Sequence, residues 1–123
     1  MRIDKFEDID AWKEARKLNK IVYEISTRDP FKRDFGLTSQ IQRGSVSVMA
    51  NIAEGFDRQS DKEFIQYLYI ASSSASEIQS HLYVALDLAY INEEEFKNLY
   101  EQAKKVKKLI NGFIAYLKGK KTK

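Results

Sequence analysis

The sequence predicts an all-α protein: one domain, residues 1–123, folded as an antiparallel up-down-up-down four-helix bundle. Three observations predict it. Apolar residues recur at steps of three and four in four separate stretches, the period of a helix with one buried face. Only one proline and five glycines interrupt 123 residues, which favours long helices over many short strands. Two expected helix starts carry Ser or Asn with Glu three residues later, the pattern of a capping box.

The first helix is expected over about residues 9–27. Ile9, Trp12, Ala15, Leu18, Val22 and Ile25 make its stripe. The segment RDPFKRDFG then breaks it, because Pro30 opposes continuation and pushes Asp29 towards extended geometry. The second helix is expected over about 37–56, with Leu37, Ile41, Gly44 and Ser45, Val48, Ile52 and Phe56. Small residues in its middle let a partner helix come close, and Gly55 is expected to loosen its end. The third, about 60–88, opens with Ser60 as cap and Glu63 reaching back. Phe64, Leu68, Ala71, Ala75, Ile78, Leu82, Ala85 and Ala89 follow. The fourth, about 93–117, opens with Asn92 and Glu95 as a second box, and Ile91 is expected to pack on Phe96. Its stripe is Phe96, Leu99, Ala103, Val106, Ile110, Phe113 and Leu117, and a basic tail follows at 118–123. The links are short, so neighbouring helices should run antiparallel.

With no cysteine, disulfides and thiolate metal sites are excluded. No basic start precedes an apolar run, and no apolar run nears the ~20 residues of a membrane span. A cytoplasmic protein without membrane association is therefore expected. The net charge of +3 hides an asymmetry. Residues 102–123 hold eight lysines (Lys104, Lys105, Lys107, Lys108, Lys118, Lys120, Lys121 and Lys123) and no acid. The first 101 residues hold thirteen basic and eighteen acidic side chains. The basic end reads either as a surface that attracts phosphate or as a solvated helix face with a frayed terminus.

Each helix also carries apolar residues off its stripe, among them Val46, Ile65, Tyr69, Ile70, Tyr83, Ile114 and Tyr116. They imply a homo-oligomer, since monomers rarely expose large apolar patches, or else a wide core. The serines of ASSSASE (71–77) allow close helix approach, or form an exposed polar face.

Little points to chemistry. His81 is the one histidine, with no second histidine a helical turn away and no E-x-x-H pattern. There is no nucleophile elbow, P-loop or dinucleotide fingerprint. A non-enzyme without metal or cofactor is expected. More informative are Arg43, Ser47, Asn51, Glu54 and Arg58, which share a face of the second helix. Glu63, Tyr67, Ser74 and Glu77 can form a comparable stripe on the third. Two such faces could meet in a network joining Arg43 or Arg58 to Glu54, Glu63 or Glu77 and fixing register, the preferred reading. The other reading is a groove for phosphate or a peptide.

FEDIDAWKEARKL (6–18), FGLTSQIQRGSVSVMANIAEGFDRQSDKEF (35–64) and YIASSSASEIQSHL (69–82) resemble the small four-helix-bundle proteins first noticed as reading frames within intervening sequences of 23S ribosomal RNA genes. The resemblance covers nearly the whole chain, and its motif maps onto Asn51, Glu54, Gly55, Arg58, Ser60, Glu63 and Phe64. One departure is Val48-Met49, standing where such proteins often have proline after the first residue; a straighter second helix should result. The resemblance implies a bacterial, cytoplasmic, ring-like homopentamer with no catalytic residues. It extends distantly to accessory proteins of diversity-generating retroelements, whose basic barrel is thought to engage nucleic acid and a reverse transcriptase. Two functions follow. One is a nucleic-acid-binding oligomer, RNA preferred, acting through the eight lysines. The other is a structural adaptor holding a protein partner through the second apolar faces and the interface motif, to which Arg43 and Glu77 also belong.

Overall fold

The computed structural model describes residues 3–120. Four helices run Asp10–Ser26 (α1), Phe35–Phe56 (α2), Asp61–Asp87 (α3) and Glu93–Lys120 (α4). Single 3-10 turns lie at Phe6–Asp8 and Phe31–Arg33. Each helix packs on its neighbour in sequence and α1 closes on α4, so the chain is the up-down bundle that the stripes predict. The α2–α3 interface is the most extensive of the four, and α1–α4 the least. One end of the bundle gathers the start of α1, the α2–α3 joint and the end of α4. The opposite end gathers the other two connections. Among the described residues no helix is long and apolar enough to cross a membrane.

The core follows the stripes, with shifts of one position. Ile9 is fully buried but precedes α1 in extended conformation, and its carbonyl accepts from the Lys13 N–H at 3.1 Å. Ala11 takes the core position expected for Trp12. Trp12 is half-buried and meets Phe6 edge-on at 5.1 Å. Ile65 and Ile114, which fell off the stripes, are buried, whereas Phe96 and Phe113 are only partly buried at the core margin. A large ring can straddle that margin where a branched aliphatic one residue away fills the interior.

Polar pairs of small side chains pin α1 to α2. Asn19 donates to the Ser45 hydroxyl at 2.8 Å, and Gln42 donates to that of Ser26 at 2.9 Å. Both serines are fully buried, so these bonds satisfy groups that would otherwise be costly.

The connection from α1 to α2 does more than break a helix. Phe31 is fully buried and stacks on Tyr90 of the α3–α4 connection at 5.1 Å. Its burial contributes about 1.5–3 kcal/mol. Asp34 caps α2 by accepting from the Leu37 N–H at 3.0 Å, and its other oxygen accepts from the Tyr90 hydroxyl at 2.9 Å. That bond to a carboxylate raises the Tyr90 pKa above its ordinary value. Arg28 reaches Glu95 at 2.8 Å. Glu95 also accepts from the Asn92 N–H at 3.0 Å, while Asn92 accepts from the Glu95 N–H at 2.8 Å, a complete capping box.

Helix α3 ends sooner than its stripe suggests. Ala89, expected in the core, is exposed and lies in the left-handed region with φ 60. The Tyr90 N–H reaches the Ala85 carbonyl at 2.8 Å and the Ala89 N–H reaches that of Leu86 at 3.0 Å. This is a Schellman ending, with alanine where glycine usually sits.

Two predictions follow from these ends. An L-residue at the left-handed position costs about 1 kcal/mol, so Ala89→Gly should raise stability by that amount. For a chain of this size the melting temperature should rise by about 3–6 °C; an unchanged or lowered melting curve would contradict the assigned backbone. Glu95 has its pKa lowered, chiefly by the Arg28 hydrogen bond and then by the Asn92 N–H. A depressed carboxylate stabilises above its unfolded value of about 4.3, and this is lost as pH falls through the folded value. Glu95→Gln should therefore weaken the protein at neutral pH and flatten its acid limb. Denaturation midpoints for variant and parent that run parallel down to pH 3 would refute this.

Candidate functional site

The stretch NIAEGFDRQSDKEF (51–64) is the end of α2, a four-residue turn and the start of α3. Its residues are engaged within the bundle. Gly55 lies inside α2 with no positive φ, so it does not loosen the helix end as expected. It is glycine because α3 comes too close for a side chain. A Cβ there would stand 2.8 Å from Phe64 Cδ1 and 2.8 Å from Tyr67 Cβ. Gly44, three turns earlier on the same face, is a milder case: a Cβ would meet Ile78 Cγ1 at 3.2 Å.

Between the two glycines, polar side chains bridge the helices. Asn51 donates to the Ser47 carbonyl at 2.8 Å and to the Ser47 hydroxyl at 3.0 Å. Ser47 shares a 2.9 Å hydrogen bond with Ser74, which is buried. The serines of 71–77 thus divide: Ser74 enters the interface, while Ser73 and Ser76 face solvent. Arg58 pairs with Glu54 at 2.6 Å and donates to the Tyr67 hydroxyl at 2.5 Å, with its guanidinium 4.8 Å from the Tyr67 ring centre.

The wider network is not formed. Glu63 stays within its own cap: its N–H donates to the Ser60 hydroxyl at 3.2 Å, and that hydroxyl donates to the Glu63 carboxylate at 3.3 Å. Arg43 and Glu77 are exposed, and neither makes an ion pair or hydrogen bond among the described residues. Helical spacing alone could not exclude them, because it gives a face and not a reach. Phe64 is buried and joins rings from three elements, with Phe56 at 6.2 Å and Phe113 at 5.3 Å.

The lysines of α4 separate by side. Lys105 ion-pairs with Glu14 of α1 at 3.4 Å, and Lys120 with Asp61 at 3.5 Å. Glu14 also holds Lys17 at 3.2 Å and accepts from Gln102 at 3.0 Å, the bond that does most to lower its pKa. Lys17, missed as a candidate, joins this α1–α4 wall through Glu14, while Lys13 and Lys20 lie exposed on the outward crest of α1, so acid and base alternate on this helix. Asp61 opens α3, so the α3 side holds one ion pair at its end; farther along α3 the partners are neutral. Lys107 donates to Gln79 Oε1 at 3.3 Å and Lys118 to the Tyr69 hydroxyl at 2.7 Å. Lys104 and Lys108 are exposed without a partner among the described residues, Lys108 at the groove between α1 and α4 that Asp8 and Asp10 also line. Lys121 and Lys123 lie outside the described residues.

A groove of about 440 Å³ runs between the start of α1 and α4, lined mainly by Ile3, Ala11, Leu109, Phe113 and Tyr116. Among the described residues no three His, Cys, Asp or Glu side chains converge as for a metal ion. His81 is half-buried on α3.

The architecture is that of a small all-α protein whose polar residues serve helix joints and charged walls. The 23S rRNA-intervening sequence protein family matches residues 7–112, and the chain belongs to that family. A solved structure from Bacteroides thetaiotaomicron VPI-5482, described as a protein with unknown function from the S23 ribosomal protein family, is similar. It aligns with a TM-score of 0.77 at 26% identity, covering 85% of this chain and 97% of that one. No curated protein matches the sequence.

Two of the helical glycines, Gly55 and Gly112, separate packing from propensity. Gly55→Ala should destabilise by about 1–3 kcal/mol despite alanine's better helix propensity, because Tyr67 Cβ cannot move without its helix. Gly112 has open space around it, so Gly112→Ala should stabilise by about 1 kcal/mol. Chemical denaturation of both variants checks this. Equal effects at the two positions would remove the close-approach explanation.

Proposed function

We propose that this chain is a non-enzymatic, homo-oligomeric nucleic-acid-binding protein of the bacterial cytoplasm, with RNA preferred. One observation carries the reading: on the α3–α4 side, beyond the Lys120–Asp61 pair at its end, the lysines are held by neutral groups. A lysine paired with a carboxylate is largely neutralised at a distance, as Lys105 and Lys120 are. Lys107 and Lys118 keep their full charge and Lys104 adds a third beside them, whereas Lys108 lines the α1–α4 groove with Asp8 and Asp10. Three uncompensated charges on one helix form a phosphate-attracting strip, which symmetry multiplies in an oligomer. The groups with shifted ionisation (Glu14, Arg28, Tyr90 and Glu95) each owe it to a bond joining two elements, which supports a binding role over catalysis.

Self-association is supported by a different wall. Val46 of α2 and Ile70 and Val84 of α3 are exposed by 42–48%, near the unpaired Arg43 and Glu77. Apolar residues around opposite charges suit a protein–protein contact. The family resemblance favours five copies. The adaptor reading is weaker, because Asn51, Glu54, Gly55 and Arg58 are already engaged inside the bundle.

The test is binding of a fluorescent structured RNA across a salt series, with light scattering on the same samples. The parent should bind with strong salt dependence, as an assembly of five 14.3 kDa chains. Combined Lys104→Ala, Lys107→Ala and Lys118→Ala should cut the salt slope by about three. Combined Lys13→Ala, Lys17→Ala and Lys20→Ala should change it little. No binding at low salt would overturn the nucleic-acid reading, and a monomeric mass would overturn the oligomer.

A further inference from the structure

The exposed edge of α3 that borders α4 carries residues at alternating steps of four and three: Tyr69, Ser73, Ser76, Ser80 and Tyr83. All five are exposed. The placement of this edge is fixed by its contacts, since Tyr69 meets Lys118 and Tyr83 meets Phe96 and Tyr100. The facing edge of α4 offers Tyr100, Lys104, Lys107, Asn111 and Lys118. No acid lies on either edge between Tyr83 and Tyr69. The nearest acids stand beside the strip: Glu77, one turn from Ser73 and Ser80, and Glu101, one turn from Lys104.

Large rings are half-exposed at both ends of this strip, Tyr69 by 48% and Tyr83 by 51%. An isolated surface tyrosine needs no explanation. Two at the ends of an acid-free strip of lysines and hydroxyls form a pattern with a specific use. Rings offer faces on which bases stack, lysines offer charge for phosphates, and serine and asparagine offer hydrogen bonds to phosphate or sugar. Tyr83 is held by tilted and T-shaped contacts with Phe96 at 4.8 Å and Tyr100 at 6.0 Å, and Tyr69 by the Lys118 ammonium 5.3 Å from its centre. The rings are thus positioned before any ligand arrives, which reduces the ordering cost of binding. Fourteen residues of helix separate them by roughly 21 Å, about six stacked nucleotides.

We infer that the α3–α4 wall binds single-stranded nucleic acid, with bases stacking on Tyr69 and Tyr83 and the intervening phosphates lying along Lys104, Lys107 and Lys118. This rests on the nucleic-acid reading above and adds to it the strand state of the ligand. A duplex hides its base faces and could use only the lysines. A single strand can use both.

The experiment measures affinity of the full chain for a 20-nucleotide oligo(A) RNA, the corresponding DNA, and a 20-base-pair RNA duplex at one salt concentration. The single strands should bind at least tenfold more tightly than the duplex. Tyr69→Leu and Tyr83→Leu should each weaken single-strand binding by about 5- to 150-fold, the value of one stacked base. Both should leave duplex binding unchanged, and Tyr69→Phe and Tyr83→Phe should stay within about threefold of the parent. Circular dichroism of each leucine variant confirms the bundle. Equal binding of duplex and single strand, or folded leucine variants that bind as the parent does, would overturn the stacking inference while leaving the lysine reading standing. No binding to any of the three would overturn both. Tighter binding of RNA than DNA would assign the hydroxyl row to the ribose; equal binding would assign it to phosphate. Either supports the inference, provided the duplex binds more weakly.

Discussion

The space beside Gly55 is already taken by Phe64 and Tyr67, and much of the molecule depends on that close approach. It allows α2 and α3 to meet at their shared end and leaves room for a turn of only four residues, 57–60. Ser60 then caps α3 at once, so Phe64 arrives one turn into the helix, where it can enter the core. There it packs against Phe56 and Phe113, which fastens the last third of α4 to the joint. The positions of Lys118 and Lys120 follow from that fastening. A sequence motif with no evident chemistry therefore governs where the charged part of the protein lies.

The opposite end is closed by different means, and magnitudes show which matters most. The Arg28–Glu95 pair is partly exposed, and such pairs contribute about 0–1 kcal/mol. Phe31, fully removed from water, contributes about 1.5–3 kcal/mol. The apolar plug therefore dominates, while the ion pair and the Asp34–Tyr90 bond set the orientation of the two connections around it. Between the ends, buried polar contacts such as Asn19–Ser45, Gln42–Ser26 and Ser47–Ser74 set the axial register. A slip of one helical turn would leave these buried groups without partners.

The sequence made the helices legible because their starts are chemically explicit. Asn92 with Glu95, and Ser60 with Glu63, locate two N-termini within a residue. Three other features were hidden for identifiable reasons. Phe31 is one apolar residue in a breaker segment, and periodicity cannot register a single point. Ala89 occupies a position where the usual signal is glycine or asparagine, so the stripe ran through the helix end. Gly55 carried a signal that was misassigned, because a glycine near a helix end suggests a cap, whereas tight packing between helices needs the partner's position to be seen. In the candidate site, Asn51, Glu54 and Arg58 were found by their shared face. The Arg58–Glu54 pair follows from that face alone, whereas the contacts across to α3, Ser47 with Ser74 and Arg58 with Tyr67, depend on which side chains α3 brings level with them.

The lysines show most clearly why counting charge along a chain falls short. Residues 102–123 hold eight lysines and no acid, and this suggests one basic end. The bundle instead gives the lysines of α4 different partners: carboxylates on α1 and at the first residue of α3, and neutral groups along the rest of α3. Glu14 and Asp61 take two of the lysines into ion pairs, and Gln79 and Tyr69 hold two others without cancelling them. At physiological ionic strength a charge is felt over about 8 Å, much less than the length of these helices. A phosphate near α3 and α4 therefore responds to that wall and hardly to the acidic groups elsewhere. Net charge describes the whole molecule, but binding is decided by the few side chains within one screening length. In this protein the edge of α3 that supplies those neutral partners also carries its exposed tyrosines.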